Sequence, residues 1–158
     1  TTYLWFDGAA EQAAEYYTTL FPDSRITHIA RYGKAGPGPE GSAMIVNFVL
    51  AGQEFIALNG GPHFRFNEAI SLFVTCEDQQ EVDRLWERLA SDGGAPSMCG
   101  WLKDRWGLSW QIIPKALMEL MSDPDPARSG RVMQAMLGMQ KIDVAALRAA
   151  HAGASDAA

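Results

Sequence analysis

Apolar residues in the first sixty positions follow the spacing of a strand, then of a helix, then of strands again. The short, aromatic segment 2–7 is typical of a strand. Apolar residues then recur at helical spacing from Ala10 to Phe21, and Asp7 is expected to cap this helix. Turn residues around Gly52 indicate a hairpin. The pattern predicts a βαβββ unit whose last three strands are 25–32, 44–50 and 54–58.

The same order of elements returns after residue 68. A strand at 69–75 leads into a capping box from Thr75 to Asp78, which opens a second helix that ends at Gly93-Gly94. Turns at Gly52 and Gly107 take the same place in each half. This internal repeat of pattern predicts a second βαβββ unit. Its last three strands are expected near Ala95, at 97–103 and at 108–113.

After Pro114 the pattern becomes helical. Helices are predicted at 115–121, at 127–140 and, capped by Asp143, up to His151, while 153–158 are expected to fray. Five methionines lie in this region, and they are typical of core packing or a subunit contact, with a pliable binding surface as the alternative. We expect a homodimer, because an apolar surface of this kind usually marks a contact. The surface comprises Met133, Met136 and Leu137.

Composition narrows the possible functions. The net charge is −6 and the pI is near 5.0, and the 13 lysines and arginines are scattered, which argues against nucleic acid and anionic membranes as partners. No apolar stretch approaches the roughly 18 residues that cross a bilayer, and no signal peptide pattern opens the chain. Cys76 and Cys99 form no close pair, so we expect reduced thiols and a cytoplasmic location.

Three blocks of the sequence resemble PhnB-like proteins of the glyoxalase/bleomycin-resistance, or vicinal oxygen chelate, superfamily. The first runs from Leu4 to Ala13 (LWFDGAAEQA) and continues with Tyr16-Tyr17 and Leu20-Phe21-Pro22. The second runs from Trp101 to Pro114 (WLKDRWGLSWQIIP), and the third from Met139 to Asp143 (MQKID). The resemblance extends over nearly the whole chain, from about Thr2 to Ala149.

The resemblance implies an α+β fold in which two βαβββ modules form a cup-shaped mixed sheet around a small-molecule site. Module one is expected at about 2–60, module two at about 68–114 and a helical extension at 115–151, within one domain at 1–152. Members of the superfamily commonly dimerise, often by exchanging modules. Some PhnB-like proteins carry the label 3-demethylubiquinone 3-methyltransferase, which implies methyl transfer as an alternative function.

Motifs for nucleophilic or metal chemistry are weak. His28, His63 and His151 have no HxH or HExxH spacing, and no GxSxG elbow marks a serine nucleophile. A catalytic cysteine would need a base partner that the sequence does not identify. Acid–base chemistry would use a carboxylate, but carboxylates at turns and strand edges are usually only solvated. The candidates among them are Glu54, Glu68 and Asp104.

Aromatic residues are the stronger signal, because the implied fold gathers their segments around one cup. Small-ligand sites are mostly apolar with a few orienting polar groups. Asn59 and Gln111, near strand ends, are candidates to supply hydrogen bonds, and Trp101 and Trp110 belong to the same aromatic set. Core packing is the alternative for each ring. The predicted substrate-binding residues are Phe6, Phe48, Asn59, His63, Phe64, Phe66, Trp106 and Gln111.

We expect no cofactor. Superfamily metal enzymes place four ligands on symmetric strands, and the resemblance puts these positions at about Thr2, Ala57, Ile70 and Gln111. If the register of these strands shifts by one residue, the four positions are occupied by Tyr3, Leu58, Ser71 and Trp110. These residues are no better ligands for a divalent ion. No Gly-rich turn opens a helix as in a typical S-adenosylmethionine site. The leading prediction is a small-molecule-binding protein whose reaction is unknown. The alternatives are a methyltransferase of the 3-demethylubiquinone type and a non-catalytic, ligand-sequestering resistance protein.

Overall fold

The computed structural model describes residues 1–153, and the predicted frayed tail beyond Gly153 lies outside the described residues. The chain forms two compact units, one at Thr1–Phe66 and one that begins at Asn67.

The first unit is the predicted βαβββ module. Its four strands form one sheet in the order β1-β4-β3-β2, in which β1 and β4 run parallel and the other neighbours run antiparallel. Ala51 and Gly52 both have positive φ angles, 48° and 84°, and form the predicted hairpin between β3 and β4. The elements are β1 (Thr2–Phe6), α1 (Ala10–Thr18), β2 (Arg25–Arg31), β3 (Ala43–Leu50) and β4 (Gln53–Asn59).

Alternate residues of this sheet face the helix and form the core. Val46 and Ala57 are fully buried, and the Phe48 ring lies 6.4 Å from the ring of Tyr17 on α1. The intervening residues point to the other face of the sheet, where Tyr3 is 57% exposed. The helix therefore covers one face only, and the second face is more open.

The second unit repeats the same topology. Its sheet has the order β5-β8-β7-β6, with β5 and β8 parallel and the remaining pairs antiparallel. Gly107, with a φ angle of 88°, occupies the turn between β7 and β8 as Gly52 does between β3 and β4. The predicted repeat is thus confirmed. The elements are β5 (Ser71–Cys76), α2 (Gln79–Ala90), β6 (Ala95–Pro96), β7 (Trp101–Lys103) and β8 (Ser109–Pro114).

Two helix starts differ from the prediction. The N-cap of α1 is Ala9, and the Ala10 N–H is bonded instead by the side chain of Asn59, so Asp7 is not the cap. The capping box of α2 lies three residues later than predicted. Asp78 accepts a hydrogen bond from the Glu81 N–H, and Glu81 accepts one from the Glu77 N–H. Thr75 belongs to β5.

The predicted strand at 97–103 is shorter in the structure, where only Trp101–Lys103 pairs with β8. Cys99 has a φ angle of 59°, which breaks the extended backbone just before this strand. The backbone N–H of Cys99 donates to Met139 O and that of Gly100 donates to Gln140 O, so this segment pairs with the helical extension.

The helical extension packs within the second unit around a small apolar cluster. Asp143 caps the last helix as predicted, since it accepts a hydrogen bond from the Ala146 N–H. The methionines divide between roles: Met121, Met136 and Met139 pack against the cluster, whereas Met118 is 52% exposed. No helix within residues 1–153 is long and apolar enough to cross a membrane. The helices are α3 (Lys115–Met121), α4 (Pro126–Leu137) and α5 (Val144–Ala152), and the buried cluster is Ile113, Leu117, Val132, Ile142 and Leu147.

Candidate functional site

The first unit contains a cavity of about 550 Å³ beside the start of α1. The ends of β1 and β4 form its floor, and the glycine- and proline-rich loop at 33–41 forms one wall. Tyr32 and two prolines of the loop supply apolar surface. The polar groups in the wall are Asp7, Glu11, Ser42 and Asn59.

The loop wall is fixed by Tyr32. The Tyr32 hydroxyl donates to Asn59 O at 2.8 Å, and the Tyr32 backbone bonds Ser42 O and the Gly41 N–H, each at 2.9 Å. Gly36 and Gly38 lie so close to the Tyr32 ring that a Cβ atom at either position would collide with it; at Gly36 the distance would be 2.8 Å. These contacts hold the loop in one position, so the cavity has a defined shape.

Asn59, a predicted ligand-binding residue, lies in the cavity wall and joins two of the elements that form it. Its Oδ1 atom accepts a hydrogen bond from the Ala10 N–H, and its Nδ2 atom donates to Ala43 O, each at 2.9 Å. The amide thus replaces a side-chain N-cap for α1 and ties the helix to β3. Each end of this amide retains one further hydrogen-bonding position for a ligand.

Charge in the cavity wall is acidic. Arg31 makes two hydrogen bonds to the Glu11 carboxylate, at 2.9 and 3.2 Å, and these bonds lower the pKa of Glu11. The nearby Asp7 carboxylate is exposed and has no ion-pair partner within the described residues. One net negative charge therefore remains at the cavity, which favours hydrogen-bond donors or a cation in a ligand.

The other predicted residues of the first unit divide between the core and the surface. Phe6 and Phe48 are 3% and 1% exposed and lie on the helix-covered face of the sheet. Phe66 packs edge-on against Phe6, with ring centroids 5.2 Å apart. Phe64 is 65% exposed and meets the edge of the Trp5 ring, and His63 beside it is exposed. None of these five predicted residues lines the cavity.

Trp5 was not among the predicted site residues, yet it shapes the floor of the cavity. Its indole N–H donates to Gly61 O at 2.8 Å, and its ring lies where a Cβ atom of Gly60 would be. Gly60 and Gly61 both line the cavity. The sequence signal for this arrangement is the Gly60-Gly61 pair directly after β4.

In the second unit, the predicted residues Gln111 and Trp106 have different surroundings. Gln111 is half-buried on β8, and its Nε2 atom donates to Ser71 Oγ at 2.9 Å. Trp106 is half-buried in the β7–β8 turn, with the Arg105 guanidinium 5.2 Å above its ring. Trp110 points to the opposite face of the sheet and is 1% exposed.

The three candidate carboxylates have structural or surface roles. Asp104 is 3% exposed and accepts hydrogen bonds from the backbone of Trp106 and Leu108 and from the Trp110 indole. Glu68 pairs with Lys103, whose hydrogen bond lowers the Glu68 pKa. Glu54 is exposed and accepts a bond from the Thr1 hydroxyl.

The residues at the superfamily's metal positions do not fit a divalent ion. In the first sheet Ala57 faces α1, and its neighbours Ile56 and Leu58, which face the open side, carry no ligand atom. In the second unit Ile70 precedes β5. Residues 1–153 contain no group of three or more histidine, cysteine, aspartate or glutamate side chains placed to hold a metal.

A sequence model of the family described as 3-demethylubiquinone-9 3-methyltransferase matches residues 1–113, which span both modules. The chain belongs to this PhnB-like family. The PhnB protein of Bacillus cereus, which carries the same methyltransferase description, is 41% identical, with a TM-score of 0.68. The match covers 72% of this chain and 97% of that one.

A second structure supports the fold of the chain and nothing about its function. Protein PA1353 from Pseudomonas aeruginosa is 21% identical with a TM-score of 0.59, and the match covers 72% of this chain and 94% of that one. A glyoxylase/bleomycin resistance protein/dioxygenase domain from Frankia matches at 17% identity and a TM-score of 0.47, over 72% of this chain and 89% of that one. No curated protein matches the chain. The family match ends before α3, so the helical extension lies beyond it.

Proposed function

We propose that this PhnB-like chain binds a small organic molecule in the cavity of its first unit. The observation that carries the proposal is the cavity itself, whose volume of about 550 Å³ is in the range of small-ligand sites. Its wall combines the Tyr32 ring and prolines with a few polar groups, as such sites do. The free carboxylate of Asp7 favours a ligand with an amine or another hydrogen-bond donor.

The test uses a matched pair of probes, benzylamine and benzoate, followed by amide chemical shifts in the nitrogen–proton spectrum. Benzylamine should give saturable shifts at Gly8, Gly38 and Gly60, and benzoate should leave these amides unchanged. Asp7→Asn should weaken benzylamine binding by about fivefold or more, because it removes the charge partner. Asp23→Asn, an exposed aspartate in a turn, is the control. Equal shifts with both probes, or no shifts with either probe, would show that the cavity is not the ligand-binding site.

Native mass spectrometry of freshly purified protein addresses the natural ligand. A retained molecule that is released on unfolding would identify it, and incubation would show whether it is turned over. Turnover supports an enzyme, whereas retention without turnover supports the ligand-sequestering alternative. A chain that never retains or binds a small molecule would contradict both.

Methyl transfer is the second candidate, favoured by the family description over residues 1–113. The residues present do not fit a typical S-adenosylmethionine site, because the loop at 33–41 joins β2 to β3 and opens no helix. We therefore expect calorimetry to show no saturable binding of S-adenosylmethionine. Saturable binding of S-adenosylmethionine in the micromolar range would favour methyl transfer over simple ligand binding as the function.

We propose that the chain acts in the cytoplasm as a homodimer. Cys76 and Cys99 are both free thiols, which suits a reducing compartment. Met133 and Leu137 on α4 remain 39% and 54% exposed, which supports a contact with a second copy.

A further inference from the structure

The pair Asn59-Gly60 at the end of β4 is chemically unstable in an unconstrained chain. Of the asparagines Asn47, Asn59 and Asn67, only Asn59 is followed by glycine. The backbone nitrogen of the residue after an asparagine can attack the side-chain amide carbon, and glycine, which has no Cβ atom, hinders this attack least. The sequence alone therefore marks Asn59 as the asparagine that loses its amide most readily.

The reaction at this pair releases ammonia and consumes water. The Gly60 nitrogen forms a bond to Asn59 Cγ, and its proton leaves with the side-chain amide nitrogen as ammonia, which gives a cyclic imide. Water then opens the imide. Opening at Cγ gives aspartate, whereas opening at the backbone carbonyl carbon gives isoaspartate, in which the main chain runs through the former side chain.

The fold restrains both reacting groups. Asn59 Oδ1 accepts a hydrogen bond from the Ala10 N–H, and Asn59 Nδ2 donates to Ala43 O, each at 2.9 Å, so the amide is held at both ends. The Gly60 N–H donates to Phe6 O at 3.0 Å, which engages the attacking nitrogen. The ring can therefore close only after these hydrogen bonds have opened.

The start of α1 is the place where such an opening begins. The N-cap residue of α1 is Ala9, which has no side chain that could cap the helix, and helix ends fray readily. The ion pair between Glu11 and Arg31 supports this end of α1, but its side chains are 33% and 47% exposed, and exposed pairs contribute little to stability. Local opening here releases Asn59 from Ala10.

Either product prevents the site from closing as before. Aspartate at this position places a carboxylate oxygen opposite Ala43 O, where the Asn59 amide N–H now donates, so two acceptors face each other without a proton. Isoaspartate lengthens the main chain by a methylene group, which is incompatible with the pairing of Asn59 with Phe6 between β4 and β1. Neither product regains the amide in water.

We propose that Asn59-Gly60 is a deamidation site at which opening of the first unit is recorded as an irreversible covalent change. The hydrogen bonds of the closed state hold the reaction back, and it proceeds only in molecules that have opened. A reacted molecule loses support for the start of α1 and gains a carboxylate in the cavity wall, since Asn59 and Gly60 line the cavity. The site thus gives the cavity a finite lifetime, whether or not the cavity holds a ligand.

Peptide mass spectrometry follows the loss of the amide at each asparagine during incubation in mildly alkaline buffer. In guanidinium chloride Asn59 should react fastest, with Asn47 and Asn67 as internal controls. In the folded protein Asn59 should react about a hundredfold more slowly, because an open state populated about one time in a hundred lowers the rate by that factor. Equal rates at Asn59 in the folded and unfolded chain, or a slower reaction than at Asn67 in the unfolded chain, would overturn the proposal.

A variant that leaves the reacting pair intact tests the role of opening. Arg31→Gln removes the ion pair beside the start of α1 and should raise the rate of deamidation in the folded protein about threefold. Each rate is divided by that of the same variant in guanidinium chloride, so that effects on the chemistry itself cancel. Lys115→Gln, which removes an exposed ion pair with Glu77 in the second unit, is the control. Equal relative rates in the two variants would contradict reaction through this opening.

Asn59→Asp reproduces one of the two products directly. It should lower the melting temperature at neutral pH, because Ala43 O loses its donor and faces a carboxylate. Asn67→Asp is the control, since Asn67 is exposed and its Oδ1 atom accepts a bond from the Ala69 N–H, which a carboxylate also accepts. A melting temperature of Asn59→Asp equal to that of the control would contradict the loss of support for α1.

Discussion

At the scale of single residues, Asp104 shows how a candidate catalytic carboxylate can be structural. Its two oxygens accept three hydrogen bonds across the β7–β8 turn, from two backbone N–H groups and one indole N–H, at 2.9 to 3.0 Å. These bonds direct the carboxylate at the turn and at the buried Trp110. The residue therefore holds the second hairpin of the second unit in register.

Removing this carboxylate should be costly. Asp104→Ala leaves three donors without their acceptor, and each such loss in a buried site costs about 1 to 3 kcal/mol, so we expect the free energy of unfolding to fall by about 3 kcal/mol or more. Denaturant titration measures the change. Glu87→Ala, on the exposed side of α2, should change the value by less than about 0.5 kcal/mol. A similarly small effect for Asp104→Ala would contradict this role.

The two thiols should differ sharply in reactivity. Cys76 is fully buried, and burial raises its pKa to about 12, so only about one thiol in 10⁴ is ionised at pH 8. Cys99 is half-buried in a turn. Iodoacetamide at pH 8 should add one carbamidomethyl group to the folded chain, at Cys99, and two to the unfolded chain. Peptide mass spectrometry that finds folded Cys76 modified as fast as Cys99 would refute this.

Residue by residue, the sequence indicates which positions are apolar but not which face of the strand a helix covers. Phe6 and Phe48 were predicted to line a ligand site, yet they lie against α1, while the adjacent Trp5 packs its ring against Gly60, a residue of the cavity lining. Successive strand residues alternate between faces, so a shift of one residue exchanges core for open surface. Only the packing of α1 decides between the two.

At the scale of elements, strands and helices followed from periodicity, whereas their ends depended on distant partners. The start of α1 is capped by Asn59, which is 49 residues away in sequence and could not be recognised as a cap from local spacing. The start of α2 is capped locally, by Asp78 and Glu81, but Thr75 offered an equally good local pattern. Pairing of Thr75 with Ile113 in the β5–β8 ladder decides between the two.

The end of α5 is held to the loop before α4 by hydrogen bonds. His151 Nε2 lies 2.7 Å from Asp123 Oδ2, and Arg131 donates to two carbonyl groups at the end of α5. The Asp125 N–H, and then His151, hold the pKa of Asp123 below its ordinary value. This carboxylate therefore stabilises the fold when it is ionised.

The stability due to Asp123 should depend on pH with a defined sign. Its pKa is lower in the folded state than the value of about 3.9 in the unfolded state, so the stabilisation is full above about pH 4 and is lost as the pH falls through the folded pKa. Asp123→Asn should lower the melting temperature at neutral pH, and this difference should shrink in acid. Glu119→Gln, exposed on α3, is the control. A difference that stays constant down to pH 2 would be inconsistent with this account.

At the scale of the whole molecule, the repeat of one strand, one helix and three strands was visible in the sequence because both modules keep the same periodicities and the same glycine turns. The cavity was not visible. One wall is the loop at 33–41, in which Gly36 and Gly38 are required by contact with the Tyr32 ring and not by any periodic pattern.

The helical extension is the part of the molecule from which we expect self-association. Met133 and Leu137 lie one turn apart on α4, so their side chains share one face of the helix, and both remain substantially exposed. Apolar side chains clustered in this way are stabilised by contact with a second, identical surface. Light scattering should therefore give a mass of about twice the 17.3 kDa of one chain.

Two substitutions test that surface. The double variant Met133→Lys and Leu137→Lys should shift the mass to 17.3 kDa, because two charges on each copy would have to be buried or would repel one another across the contact. Gln134→Lys, an exposed position on the same helix, should leave the dimer intact. Circular dichroism confirms that each variant keeps its helices. A dimer that survives the double variant would place the contact elsewhere on the chain, and a monomeric unmodified protein at high concentration would exclude the dimer altogether.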